Sequence, residues 1–309
     1  MEYRGEMTRR VALQTVAGAA ALGQPLPGSE FQIACMTIPF QAFSFERGVK
    51  GVAAAGFRYL AWGPNQTDAS RGRMETISLD AGPARARELL RISRDAGLDT
   101  ILMFATAYPE NPGAVAAYKK RIDQAQEAGI PNLLAFGSPK STSEHRAEFV
   151  RTLEAVADHA RQAKIAICVK QHGGVTATGE LTASVVRDVN HPNVVLFYDA
   201  GNTWWYANVD ANLDFRKCAS MARGFAIKDF RSYAGQRAAG GPGFGQTDHY
   251  EMLGAVVNNG GRIPLACETV TEPLLPRPET PEDVEKLAGR ARQFLESVVR
   301  AVTAPPSTK

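Results

Sequence analysis

The sequence has no C-x-x-C pair, no long apolar run and no large charge of either sign. Its four cysteines, Cys35, Cys168, Cys218 and Cys267, stand far apart, so a zinc site built on paired thiols is not expected. Three of them fall inside strand-like runs, where a thiol acts as a small core hydrophobe. The formal net charge is only +3. Without a basic stripe or an RNA-reading aromatic motif, that balance gives no reason to expect a nucleic-acid partner. No G-x-G-x-x-G turn follows the first strand-like run, which weakens the case for an open dinucleotide-binding sheet. No Gly-rich turn opens a helix in the manner of a phosphate cradle.

The apolar run at 15–22 is far short of the roughly 20 residues that a spanning helix needs. It follows Arg9-Arg10 and ends among small residues. That order reads as an export signal rather than a membrane span, and the arginine pair resembles a twin-arginine signal. The expectation is a signal segment or tail over 1–30, a folded domain over 31–303 and a frayed tail over 304–309. The protein would then be periplasmic. A basic tail on a cytoplasmic protein is the alternative.

What the chain does contain is a repeated alternation. Short apolar runs at 32–37, 57–62, 100–104, 132–136, 166–170, 194–198, 225–228 and 263–267 are separated by helix-like segments. Glycines such as Gly56, Gly97 and Gly129 close several of these helices. The segment 144–162 carries Phe149, Leu153, Val156 and Ala160 at helical spacing. Eight strands alternating with helices, with no long linker, predict a single α/β domain closed as a (β/α)₈ barrel. Segments 64–80 and 231–245 show no clear period and read as a polar insertion and a glycine-rich loop.

In such a barrel the C-terminal strand ends share one mouth, where chemistry sits. The residues that converge there by this rule are Lys170, His172, Asp199, Asn202, Lys228, Asp229, Asp248, His249 and Glu268. Gln171 lies between two of them and is read as turned away. Trp62 and Tyr108, near strand ends, would floor a ligand there, and Trp204, Trp205 and Tyr206 would cover it.

Two of these stretches, Lys170-Gln171-His172-Gly173-Gly174 and Asp199-Ala200-Gly201-Asn202, resemble the E-N-H-G-G and D-x-G-N motifs of the xylose isomerase-like TIM-barrel superfamily. That superfamily holds sugar isomerases and epimerases and AP-endonuclease-type relatives. The resemblance covers the chain from about Phe31 to Val302 and is most specific at the fifth, sixth and eighth strands. It implies proton transfer beside the carbonyl of a carbohydrate or keto-sugar. β-Elimination by a lyase and sugar binding without catalysis are the neighbouring readings. In relatives a divalent metal is held by Glu, Asp, His and Glu on four strands, and the two glutamates handle the proton. Here Asp199 and Glu268 match, while Lys170 and Ala226 stand where the first glutamate and the histidine would be.

Three readings follow for the centre. In the first, no metal is bound, Lys170 carries the positive charge, Asp199 or Glu268 is the base, and His172 is an acid or second proton carrier. In the second, Mn, Mg or Zn is held by a shifted set drawn from His172, Asp199, His249 and Glu268. In the third, the barrel binds a sugar and does no chemistry. The expected partner in each is a small carbohydrate, with Trp62, Tyr108, Asn202, Trp204, Trp205 and Lys228 contacting it.

Overall fold

The computed structural model describes residues 28–304. The export-signal reading falls on residues outside that span. In chain order the elements are β1 (Glu30–Met36), α1 (Phe45–Ala54), β2 (Tyr59–Trp62), β3 (Asn65–Asp68), β4 (Gly72–Glu75), α2 (Pro83–Asp95), β5 (Asp99–Phe104) and α3 (Ala114–Glu127). There follow β6 (Asn132–Ala135), α4 (Ser143–Gln162), β7 (Ala166–Val169), α5 (Gly179–Val189), β8 (Val194–Tyr198) and the single turn α6 (Ala200–Asn202). Then come α7 (Ala211–Arg216), β9 (Ala222–Ile227), β10 (Asp229–Tyr233), β11 (Gln236–Gly240), α8 (His249–Val256), β12 (Arg262–Cys267) and α9 (Pro281–Thr303).

Eight of the strands close a parallel barrel in the order β1-β12-β9-β8-β7-β6-β5-β2. Pairing of β1 with both β12 and β2 completes the ring. The (β/α)₈ expectation therefore holds. Period-two alternation sorts the barrel side chains into two layers. Ala34, Met36, Ala61, Leu102, Phe104, Leu134, Cys168, Phe197, Ala226 and Ala266 fill the interior. Their strand neighbours, such as Leu60, Met103, Leu133, Ile167, Leu196 and Leu265, pack outward under the helices.

Helix starts follow the sequence cues. Ser44 accepts a hydrogen bond from the Arg47 amide at the start of α1, and Thr178 and Thr280 do the same for α5 and α9. All four cysteines are buried and free.

Two departures bear on function. The segment 64–80 contains the hairpin β3–β4, and the glycine-rich segment 231–245 lies partly in the hairpin β10–β11. The first is mostly polar and the second is rich in glycine and alanine, so no apolar alternation marks either. The first is held from beneath by Arg121, which is 1% exposed and donates to the carbonyls of Ile77 and Ala105 and to Thr106 Oγ1.

Candidate active site at the mouth of the barrel

Lys170, Asp199, Lys228 and Glu268 each follow the last residue of a barrel strand: β7, β8, β9 and β12. These four strands are neighbours in the ring. Their end groups therefore meet, although 98 residues separate Lys170 from Glu268 in sequence. Lys170 Nζ lies 2.6 Å from Asp199 Oδ2 and 2.7 Å from Glu268 Oε2. Lys228 Nζ lies 2.6 Å from Glu268 Oε1 and 3.2 Å from Asp199 Oδ2. Two ammoniums and two carboxylates thus form one compact ionic cluster. Gly201 makes room for it, since a Cβ there would stand 2.5 Å from Lys228 Cγ.

Burial and charge act in opposition on these groups. Burial alone would pull the Lys170 pKa down, but Asp199 and Glu268 more than reverse this and hold it above the ordinary lysine value. Burial alone would push the Glu268 carboxyl up, but Lys170 and Lys228 hold it far below the usual carboxylate range. Lys170 is therefore a fixed cation at every physiological pH, the opposite of what a Schiff-base nucleophile needs. Asp199 has no free face, because its Oδ1 accepts the Asn202 amide at 2.8 Å and its Oδ2 meets both lysines.

His172 stands beside the cluster. Its Nδ1 donates to the Gly137 carbonyl at 2.9 Å, which leaves the Nε2 lone pair facing the Tyr206 hydroxyl at 3.3 Å. Burial, then the Lys170 charge, lowers its pKa below the ordinary histidine value. Phe136 packs against the imidazole ring at 4.7 Å, and Tyr108 lies at 6.2 Å. His172 is thus a neutral, oriented proton acceptor at the mouth.

Above the cluster opens a cavity of about 590 Å³ whose lining includes His172, Asn202, Trp205, Tyr206, Lys228 and Glu268. The aromatic run reaches it through a π-helical turn, Thr203–Ala207. The wider turn sends its three rings different ways. Trp204 stacks on Phe230 at 5.9 Å, Trp205 lines the cavity at 46% exposure, and Tyr206 meets His172. Arg237 of β11 donates to the Trp204 and Trp205 carbonyls at 2.6 and 3.1 Å, and so ties the hairpin β10–β11 to this turn.

Several expected roles are corrected. Trp62 is 1% exposed, donates to Ser93 of α2 and packs edge-on against Phe45, so it is core and floors no sugar. The reason is parity. Ala61 takes the inward position of β2, and Leu60 and Trp62 face the helices. Tyr108 stands behind Phe136 and His172 and is not part of the cavity wall. Trp204 belongs to the packing under the hairpin. His249 is buried against Phe294, with Nδ1 on the Thr247 carbonyl. It does not join His172, Asp199 and Glu268. Asp248 caps α8. Asp229 accepts the amides of Phe230, Gly243, Gly245 and Thr247, and so pins the loop after β11. Asn202 remains on the cavity wall, and its Nδ2 donates to the Gln171 carbonyl at 2.7 Å.

Three residues with clear parts were passed over or underrated. Gln171 is fully buried and accepts the Asp199 amide on Oε1 at 2.6 Å, bracing β7 against β8. Phe136 directly follows β6 and lies 5.9 Å from Lys170 Nζ, so the strand-end rule that found Lys170 also points to it. Arg237 lies in a segment read as loop, and nothing in its local sequence sets it apart.

A divalent metal does not fit this centre. The space between the two matching carboxylates is taken by Lys170 Nζ, and Ala226 offers no ligand atom. Among the described residues, no three His, Cys, Asp or Glu groups converge on a metal position. A dication would also meet two ammoniums at short range.

Fold and site together define a (β/α)₈ barrel with its polar cluster at the C-terminal strand ends. The chain belongs to the xylose isomerase-like TIM-barrel family, whose model matches residues 49–297. A search of curated proteins finds no match. Among solved structures, a xylose isomerase-like TIM-barrel protein from Mycobacterium smegmatis in complex with magnesium superposes with a TM-score of 0.70 at 14% identity, covering 88% of this chain and 98% of that one. D-psicose 3-epimerase from Clostridium cellulolyticum H10, with D-tagatose, gives 0.63 at 14% identity, covering 89% and 100%. D-allulose 3-epimerase from Methylomonas gives 0.60 at 18% identity, covering 89% and 100%. These likenesses establish the fold.

Proposed function

We propose that this barrel is an enzyme of the sugar isomerase and epimerase kind that transfers a proton on the carbon beside a carbonyl of a carbohydrate or keto-sugar. Lysine ammoniums take the place of a divalent metal. The observation that carries the reading is the pairing, on one cavity wall, of a neutral imidazole whose unprotonated Nε2 faces the Tyr206 hydroxyl and a lysine whose ammonium is shared with Glu268. Proton abstraction beside a carbonyl needs a base and a positive group at the oxygen that becomes an enolate. His172 Nε2 supplies the first. Lys228 supplies the second, turning one N–H from Glu268 toward the substrate oxygen while Lys170 stays on both carboxylates. Glu268 is a weaker candidate base than its place in the family motif implies, because both its oxygens are held by ammoniums. Family membership and the epimerase names among the structural neighbours support the reading.

The first step is shared by isomerisation, epimerisation and β-elimination. In each, the C–H pair enters the enolate and the proton goes to His172. Return of the proton to the other face or the other carbon gives an epimer or isomer. Loss of an oxygen substituent from the next carbon, with the enolate pair closing the double bond, gives elimination.

The test is solvent exchange. The protein is incubated in D₂O with a chelator and a panel of ketoses and 3-keto-sugars, and NMR follows the C–H beside the carbonyl. Deuterium uptake that vanishes in His172→Asn supports the proposal. Ligand-induced stabilisation with no exchange on any member would overturn it in favour of a sugar-binding barrel.

We further propose export by the twin-arginine route, on the strength of Arg9-Arg10 and the short apolar run behind it. Replacing both arginines by lysine should hold the protein in the cytoplasm, and continued export would refute the route.

A further inference from the structure

The cavity is larger than a lone monosaccharide requires, and part of its wall is apolar. A hexose has twelve non-hydrogen atoms, and giving each a water's share of about 30 Å³ bounds its volume at about 360 Å³. The cavity holds about 590 Å³. His172, Asn202, Lys228 and Glu268 lie on its floor, and Gln41, Thr269, Thr271, Glu272 and Arg277 add polar groups from the outer loops. Its outer wall is built by the loops after β1 and β12, which are adjacent because those strands pair. These loops contribute Ile38, Phe43, Val270, Leu274 and Leu275, and Trp205 contributes from the π-helical turn.

The outer wall has two further marks of a binding surface. Leu274, Leu275 and Trp205 are 41%, 59% and 46% exposed, a concentration of bare apolar surface at one rim. Leu274 also holds φ at +68°, in the left-handed region that a bulky side chain rarely adopts. Such strain persists where the surroundings enforce it, and it gathers at ligand clamps. The segment is braced from the hairpin side, where the Gly241 amide donates to the Thr271 carbonyl at 2.8 Å and Gly240 lies against Pro273.

We infer that the substrate is a glycoside of a keto-sugar with an apolar, ring-sized aglycone. The sugar rests on the polar floor, and the aglycone lies against Trp205, Ile38, Leu274 and Leu275. The inference rests on the carbohydrate reading of the floor and adds the second half of the ligand.

Matched pairs of ligands separate the two claims. Binding of the 4-nitrophenyl and methyl β-glycosides of glucose, galactose and xylose is measured by calorimetry on the full chain, with 4-nitrophenol as control. In at least one pair the 4-nitrophenyl member should bind about tenfold or more tightly, the gain expected from burying about 60 Å² of apolar surface. The ratio should fall toward one in Leu274→Asn/Leu275→Ser, whose replaced side chains are partly exposed and whose Asn tolerates the left-handed backbone. Equal affinity within every pair overturns the aglycone inference and leaves the sugar reading standing. A ratio that survives the double substitution also overturns it. So does nitrophenol binding as tightly as its glycosides. Failure of every glycoside to bind removes the sugar reading itself, and this inference with it.

Discussion

Replacing Lys170 by Met tests the ionic cluster directly. The side chain is 2% exposed, and its ammonium makes contacts of 2.6 and 2.7 Å to Asp199 and Glu268. Met fills similar volume without the charge, so the loss is electrostatic rather than a cavity. Removing one partner from a buried ion pair costs about 3–5 kcal/mol, because the other charge is left uncompensated. Lys228 still reaches both carboxylates, at 2.6 and 3.2 Å, which places the cost at the lower end, about 3 kcal/mol. At about 2–4 °C per kcal/mol for a domain approaching this size, the melting temperature should fall by about 6–12 °C. Circular dichroism melts near neutral pH read this directly. The double variant Lys170→Met/Glu268→Gln should lose less than the sum of the two single losses, because the pair acts as a unit. A Lys170→Met protein that melts within about 1 °C of wild type, or strictly additive losses, would refute the cluster.

Other expectations follow from the same geometry. Chelator treatment should leave the melting curve unchanged, whereas Lys170→Glu, which brings a third carboxylate beside Asp199 and Glu268, should acquire Mn²⁺ detectable by electron paramagnetic resonance; a melting point that drops on chelation of the wild type would contradict this. His172 is held neutral below its ordinary pKa of 6.5. The unfolded chain therefore takes up its proton first, and stability should fall as pH drops through that value, a slope that His172→Asn should flatten. The thiols of Cys168, Cys218 and Cys267 are pushed up to about 12 by burial. With Cys35 also buried, native protein should resist Ellman's reagent until it unfolds, and prompt labelling at neutral pH would show an access route absent from this fold. Asp229→Ala removes the acceptor for four backbone amides. It should cost about 2 kcal/mol or more and open the loop after β11 to proteolysis, and unchanged cleavage would argue against the pinning role.

The barrel was legible because each strand announces itself twice, by an apolar run and by the glycine or polar residue that ends it. Lys170, Asp199, Lys228 and Glu268 were legible by the same rule, since a closed barrel gathers strand ends whatever their sequence separation. Side-chain direction was harder to read. Trp62 and Lys228 both lie at strand ends, yet one faces the helices and the other the mouth, and a shift of one residue in register decides which. Trp204 and Trp205 are adjacent in sequence, but the π-helical turn that parts them has no signature in local composition. The hairpin β10–β11 has no apolar alternation to mark it, so the contact that Arg237 makes appears only when the chain is folded. The ligand substitutions at Lys170 and Ala226 could be read from the sequence alone. Only the geometry shows that the Lys170 ammonium fills the space between the remaining carboxylates.

The ionic cluster also bears on how a ligand arrives. Lys170 and Lys228 contribute two positive charges, and Asp199 and Glu268 contribute two negative ones, all within direct contact. The sum is zero, so the cluster's field dies away within a few ångströms of the cavity floor. A neutral glycoside gains nothing from long-range steering and needs none. Its capture rate should therefore be set by diffusion and by the width of the mouth, and should be nearly the same in dilute buffer as in concentrated salt.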